Sequence, residues 1–148
     1  MRAQFTEQLK LAMKAGDKAR VGALRLITAA LKDKDIEARG LGKTVGDDDV
    51  LALLQKMVKS RQESLAIYEG AGREDLAAVE RGEIAVISSF LPQQMDAAAV
   101  AAAIEAAVKE TGAAGIKDMG KVIAALRAAH AGRMDFGKAS ALVKARLV

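Results

Sequence analysis

The fold is decided by a long amphipathic stretch at residues 17–40, DKARVGALRLITAALKDKDIEARG. Asp17 is a residue type that caps the start of a helix, and Gly40 is a type that follows the end of one. Between them, apolar positions recur every three to four residues, at Val21, Leu24, Ile27 or Thr28, and Leu31. This spacing predicts one long helix with a single buried face.

The same periodicity predicts three more helices in the first 91 residues. They cover residues 3–15, a segment from Asp47 to Gly70, and residues 74–91. Three consecutive aspartates at positions 47–49 are predicted to lie at the start of the third helix, where the positive end of the helix dipole stabilises negative charge. The last of these helices is predicted to bury Leu76, Val79, Ile84, Ile87 and Leu91. Four helices with one apolar face each are expected to share one core.

Pro92 marks the predicted boundary between two domains. Proline lacks an amide hydrogen and disfavours helical geometry at the preceding residue, so the fourth helix is predicted to stop at Leu91. Composition changes here too, because residues 95–148 contain 18 alanines in 54 positions. Three shorter helices follow, over residues 96–110, residues 117–130 and the last segment of the chain. The sequence therefore predicts an all-α protein, with a four-helix domain over 1–91 and a three-helix domain over 92–148.

The side-chain inventory excludes many kinds of catalysis. The chain has no cysteine and one histidine, which excludes disulfides, thiol nucleophiles, iron–sulfur clusters and multi-histidine metal sites. We interpret Asp47–Asp49 as helix-start charges rather than magnesium ligands. We therefore predict no catalytic residue, no metal and no cofactor.

Apolar runs in the sequence are short. The longest, Ala97–Ile104, is far below the roughly 20 residues that cross a bilayer. We expect a soluble, cytoplasmic protein without a membrane partner.

Positive charge is concentrated late in the chain. Residues 1–91 hold 15 Lys/Arg and 14 Asp/Glu, a net charge of +1, whereas residues 92–148 hold 8 and 5, a net charge of +3. The basic carboxy-terminal part is suited to binding an acidic partner. The alternative is that its surplus charges are solvated and only keep the protein soluble.

The candidate phosphate contacts begin at the start of the predicted sixth helix. Lys117 and Lys121 lie one turn apart there, beside backbone amides that attract anions. Arg127, Arg133 and Lys138 extend the same basic surface.

Several short runs together resemble the GatB/YqeY family over almost the whole chain. They are Asp17-Lys18-Ala19-Arg20 with Leu24-Arg25, Ala71-Gly72-Arg73-Glu74-Asp75-Leu76, Phe90-Leu91-Pro92, Lys117-Asp118-Met119-Gly120-Lys121-Val122, and Gly132-Arg133. The resemblance implies a helical amino-terminal domain followed by a small three-helix domain.

That family includes free-standing proteins of this length and the tail of the B subunit of the tRNA-dependent amidotransferase. The tail helps to hold tRNA, while glutamine hydrolysis and acyl phosphorylation take place elsewhere in that enzyme. The resemblance thus implies a carbon–nitrogen ligase label with glutamine as amide donor, but an accessory role without independent catalysis. The implied partners are tRNA and a protein of tRNA amidation or aminoacylation, with Lys117, Lys121 and Arg133 as phosphate contacts. Lys138, from the basic surface, completes the predicted set.

Two other functions are compatible with the sequence. A protein-interaction adaptor would dock its alanine-rich carboxy-terminal helices against another subunit or a second copy. An independent amidotransferase would consume glutamine by itself. The sequence leaves the oligomeric state open.

Overall fold

A computed structural model describes all residues, 1–148, and contains seven α-helices and one 3-10 turn. In chain order these are α1 (Arg2–Ala15), α2 (Lys18–Gly40), α3 (Asp47–Gly70), α4 (Glu74–Ser88), α5 (Ala97–Thr111), the turn Ile116–Asp118, α6 (Met119–His130) and α7 (Phe136–Leu147). No strand is present, so the all-α prediction is confirmed.

The chain packs as two compact units, unit 1 (Met1–Leu91) and unit 2 (Pro92–Val148). Each unit has its own cluster of buried apolar residues. That the two units fold independently as separate domains stays a prediction.

The long helix predicted over residues 17–40 forms with the expected start. The Asp17 carboxylate accepts a hydrogen bond from the Arg20 backbone N–H at 3.1 Å, which satisfies one of the amides that a helix start leaves free. Gly16 precedes it with φ +69°, a conformation that glycine adopts without strain, and so joins α1 to α2 in a tight turn. The cap predicted at Asp17 is confirmed.

All four helices of unit 1 contribute to one apolar core, as predicted. The rings of Phe5 and Phe90 meet edge to face, with their centroids 4.9 Å apart. The buried members are Phe5, Ala12, Leu24, Ile27, Leu31, Val50, Leu54, Met57 and Ile87.

The end of α4 lies earlier than the sequence predicted. The α-helix stops at Ser88, and the N–H groups of Phe90 and Leu91 donate to carbonyls three residues back, each at 3.1 Å. This tighter turn follows from Pro92, which disfavours α-helical geometry at Leu91.

The predicted inner face of α4 is wrong at Val79, which is 56% exposed. Ala77, which is completely buried, takes the core position in that turn. Val79 is the bulkier residue and lies one turn after Leu76, but it is five residues before Ile84, about 140° around the helix, whereas Ala77 is seven residues before Ile84 and shares its face.

In unit 2 the core is formed by α5, α6 and α7. Its buried members are Ile104, Ala107, Val108, Val122, Leu126, Met134, Ala139, Val143 and Leu147. Helix α6 is the central element, since it packs on both α5 and α7.

Candidate nucleic-acid interface

The candidate phosphate contacts of unit 2 are arranged around α6. Val122 and Leu126 are buried on one face of this helix, whereas Lys121 and Arg127 are exposed to solvent on the rest of its surface. With 12 residues, α6 is about 18 Å long.

At the start of α6, Lys117 lies in the 3-10 turn and Lys121 lies in the first helical turn, and both are exposed. Lys121 Nζ is 3.9 Å from Asp118 Oδ1, and the lysine side chain is 72% exposed against 16% for the aspartate. This long, open ion pair leaves the ammonium group accessible to a second anion.

The Asp118 carboxylate also holds the loop that leads into α6. It accepts a hydrogen bond from the Ala114 N–H at 3.0 Å, while the Asp118 N–H donates to the Gly115 carbonyl at 2.9 Å. The Ala114 N–H lowers the pKa of Asp118 most, and the charges of Lys121 and Lys117 lower it further. The Asp118 carboxylate thus binds an amide of the preceding loop and leaves the first amides of α6 without a side-chain cap. That these amides and the two lysines meet a phosphate stays a prediction.

Near the other end of α6, two cations flank the start of α7. The Asp135 carboxylate caps α7 by accepting from the Gly137 and Lys138 N–H groups, at 2.9 and 3.2 Å, and the Lys138 side chain is exposed. The Arg127 guanidinium lies over the Phe136 ring, 5.1 Å from its centroid. This cation–π contact fixes the guanidinium without neutralising its charge.

Arg133 has a structural contact that the sequence did not reveal. Its Nε donates to the Gln93 carbonyl at 3.1 Å, and its own carbonyl accepts from the Met95 N–H at 2.9 Å. The Gln94 side chain adds hydrogen bonds to the Gly132 and Pro92 carbonyls, at 2.7 and 2.9 Å. Three of these contacts, all except the one between Gln94 and Pro92, tie the first residues of unit 2 to its α6–α7 turn, and we call these three the Arg133 clasp. This contact gives Arg133 a structural role, and its contact with phosphate stays a prediction.

The structure does not gather the predicted cations into one cluster. Lys117 and Lys121 lie at the amino end of α6, whereas Lys138 follows its carboxyl end, beyond the α6–α7 turn. Arg127 lies between the two groups on the exposed part of α6. The arrangement is an elongated set of cations along a helix of about 18 Å, which suits an extended polyanion better than a single small anion.

Most carboxylates of unit 2 are occupied by local structure. Asp96 accepts from the Ala99 N–H at 2.7 Å and caps α5, and Asp135 caps α7 in the same way. Asp118 accepts from a loop amide, the Ala114 N–H. Glu105 is paired with Arg146 at 2.6 Å. Four of the five acids that offset the positive charge are therefore held by backbone amides or by an ion pair.

None of the helices combines the length with the apolar composition that crossing a membrane requires. The predicted cytoplasmic location stays a prediction.

A family model described as "Yqey-like protein" matches residues 2–147, which is almost the whole chain. The chain belongs to the YqeY family, and the resemblance seen in its short sequence runs is confirmed.

Curated relatives come from yeasts and carry one name, "Altered inheritance of mitochondria protein 41, mitochondrial". The Saccharomyces cerevisiae protein is 31% identical over 85 residues, which cover 57% of this chain and 45% of the relative. The Lachancea thermotolerans protein is 31% identical over 91 residues, 62% of this chain and 48% of the relative. The chain thus spans about half the length of the curated relatives it matches.

Proposed function

We propose that this YqeY-family chain is a non-catalytic, tRNA-binding accessory module that acts with a protein of tRNA amidation or aminoacylation. Its cations would contact the phosphate backbone and hold the RNA by shape and charge, with little reading of base identity. The amidation chemistry itself would belong to a partner enzyme.

One observation carries this proposal: the three aspartates of unit 2 are held by backbone amides, while Lys117, Arg127 and Lys138 stay exposed. Asp96 and Asp135 accept backbone N–H groups at the starts of α5 and α7, and Asp118 accepts from the Ala114 N–H in the loop before α6. Because these negative charges are fixed close to backbone amides, the net charge of +3 is presented by the exposed cations. A phosphate backbone is the extended anion that such a surface fits best.

The proposal is tested by removing charge from the exposed lysines. The variant Lys117→Gln/Lys121→Gln/Lys138→Gln is compared with a control of equal charge change, Lys43→Gln/Lys56→Gln/Lys144→Gln. Fluorescence anisotropy with labelled tRNA gives the dependence of log Kobs on log salt concentration. Each lost phosphate contact reduces the slope by about 0.7–0.9, so the first variant is expected to lose about 2 and the control nothing. Equal slopes for both variants would contradict this assignment.

A second candidate function is supported by the exposed side of α5. Ala98, Ala101, Ala102 and Ala106 are exposed there, and a solvent-facing helix side with so few polar groups suits contact with another helix. In this case the chain is a protein-interaction adaptor. Concentration-dependent association in sedimentation, together with no tRNA binding at low salt, would support the adaptor over the RNA-binding module.

A further inference from the structure

A row of three cations runs along the exposed side of α2 in unit 1. Lys18, Arg25 and Lys32 are seven residues apart, close to two helical turns, so they project from nearly the same face. They recur about every 10.5 Å and span about 21 Å along the helix. The residues at intermediate turns, Gly22 and Ala29, are small and also exposed. We call Lys18, Arg25 and Lys32 the α2 row.

The α2 row lies in a strongly basic part of the chain, although unit 1 as a whole is almost neutral. Residues 8–32 contain six Lys/Arg and one acid, Asp17. The Asp17 carboxylate is held at the start of α2 as its cap. No member of the row is in an ion pair within 4.0 Å, unlike Arg2, Arg73 and Arg81 of the same unit.

A shallow groove adjoins the row at Lys32. It has a volume of about 190 Å³ and is lined by Arg2, Phe5, Thr6, Thr28, Leu31, Lys32 and Asp35. Phe5 and Leu31 are buried and supply its apolar floor, while two threonines supply hydroxyl groups. Arg2 and Asp35 neutralise each other through two hydrogen bonds of 2.8 and 2.6 Å. Lys32 is therefore the unpaired charge of the groove.

We propose that the α2 row and its groove form a second RNA-binding surface, in which the row contacts phosphates and the groove takes a sugar. This rests on the proposed function, that the chain binds RNA, and adds a surface in unit 1 to the one in unit 2. Evenly spaced cations match an extended phosphate backbone, and the hydroxyl groups beside Lys32 match the hydroxyl-rich ribose.

An anionic membrane fits this face less well than RNA does. Basic helices that bind a membrane surface bring several large apolar side chains to the lipid, whereas between Lys18 and Lys32 only Leu26, 43% exposed, is of this kind. Lipid vesicles nevertheless provide a direct comparison in the experiment that follows.

The experiment compares the full chain with Lys18→Gln/Arg25→Gln/Lys32→Gln and with the control Lys43→Gln/Lys56→Gln/Lys144→Gln. The three row positions are exposed, and glutamine is a good helix former, so circular dichroism is expected to show an unchanged fold. In tRNA titrations the row variant is expected to lose about 2 from the salt slope and to bind at least about tenfold more weakly at low salt. A charge-conserving set, Lys18→Arg/Arg25→Lys/Lys32→Arg, is expected to keep the slope of the unmodified chain.

The outcomes separate this inference from the proposed function. If the unmodified chain binds tRNA and the row variant has the slope of the control, the second surface is wrong while the proposed function stands. If the unmodified chain fails to bind tRNA at low salt, both are wrong. If the row variant loses binding only to vesicles containing phosphatidylserine, the row binds a membrane and the inference is overturned. Should the glutamine variant unfold, Arg25→Gln alone is expected to lose about 1 from the slope, and an unchanged slope would overturn the inference.

Discussion

Replacing Arg133 tests whether this residue makes a structural contact or a contact with RNA. In Arg133→Met the aliphatic stem is kept, and the hydrogen bond from Nε to the Gln93 carbonyl, 3.1 Å long, is lost. Hydrogen bonds from charged groups contribute about 1.5–3 kcal/mol, and the solvent-exposed position of this bond reduces the expected value to about 1 kcal/mol. For a chain of this length, such a loss lowers the melting temperature by about 2–4 °C.

Lys138→Met is the matched control, because it removes the same charge from an exposed side chain without such a contact. Circular dichroism melting gives stability, and anisotropy with labelled tRNA gives the salt slope. We expect Arg133→Met to lose stability with an unchanged slope, and Lys138→Met to keep its stability and lose about 1 from the slope. If Arg133→Met instead kept its stability and reduced the slope like Lys138→Met, the clasp would be refuted and Arg133 would be a phosphate contact.

Three further predictions concern stability. Leu126 is 1% exposed, and Leu126→Ala is expected to lower the free energy of unfolding, measured in urea, by about 2–5 kcal/mol. Leu142 is 51% exposed, and Leu142→Ala is expected to lower it by less than about 0.5 kcal/mol. Similar losses for the two variants would mean that α6 is not central to the core. Asp96→Ala removes the cap of α5 and is expected to cost about 1 kcal/mol, whereas Asp96→Asn retains most of it; equal losses would contradict the cap. Because the pKa of Asp118 is lowered in the folded chain, its contribution is complete above its unfolded pKa of about 3.9 and is lost as pH falls through the lower folded value. Asp118→Asn is therefore expected to reduce the acid dependence of stability, and parallel curves for the two proteins would contradict the Asp118 contacts.

Much of the helical architecture could be predicted from the sequence. Asp17 could be recognised as a cap because capping depends on residue type and on the three residues that follow. The shared core of unit 1 could be predicted because helical spacing fixes which side chains lie together on a face. The prediction for Val79 is wrong because it followed the bulkier side chain one turn after Leu76, whereas Ala77, seven residues before Ile84, lies on the buried face.

The candidate site was harder to predict because it depends on contacts between distant residues. The sequence shows that Asp118 and Arg133 are charged and lie near the predicted phosphate contacts. It does not show that the Asp118 carboxylate accepts from the Ala114 N–H or that the Arg133 guanidinium reaches the Gln93 carbonyl, because these contacts form only in the folded chain. The α2 row has a signal in the sequence, namely cations at a spacing of seven residues. That signal was hidden because the net charge of residues 1–91 averages the basic segment with acids elsewhere.

The most direct test of tRNA binding uses the unmodified chain. Labelled deacylated tRNA and a length-matched DNA duplex are titrated separately, with anisotropy followed at low and moderate salt. Preferential tRNA binding that weakens as salt rises is the predicted result, because exposed cations replace counterions on the phosphate backbone. Failure to bind tRNA even at low salt would contradict the central claim and favour the adaptor function.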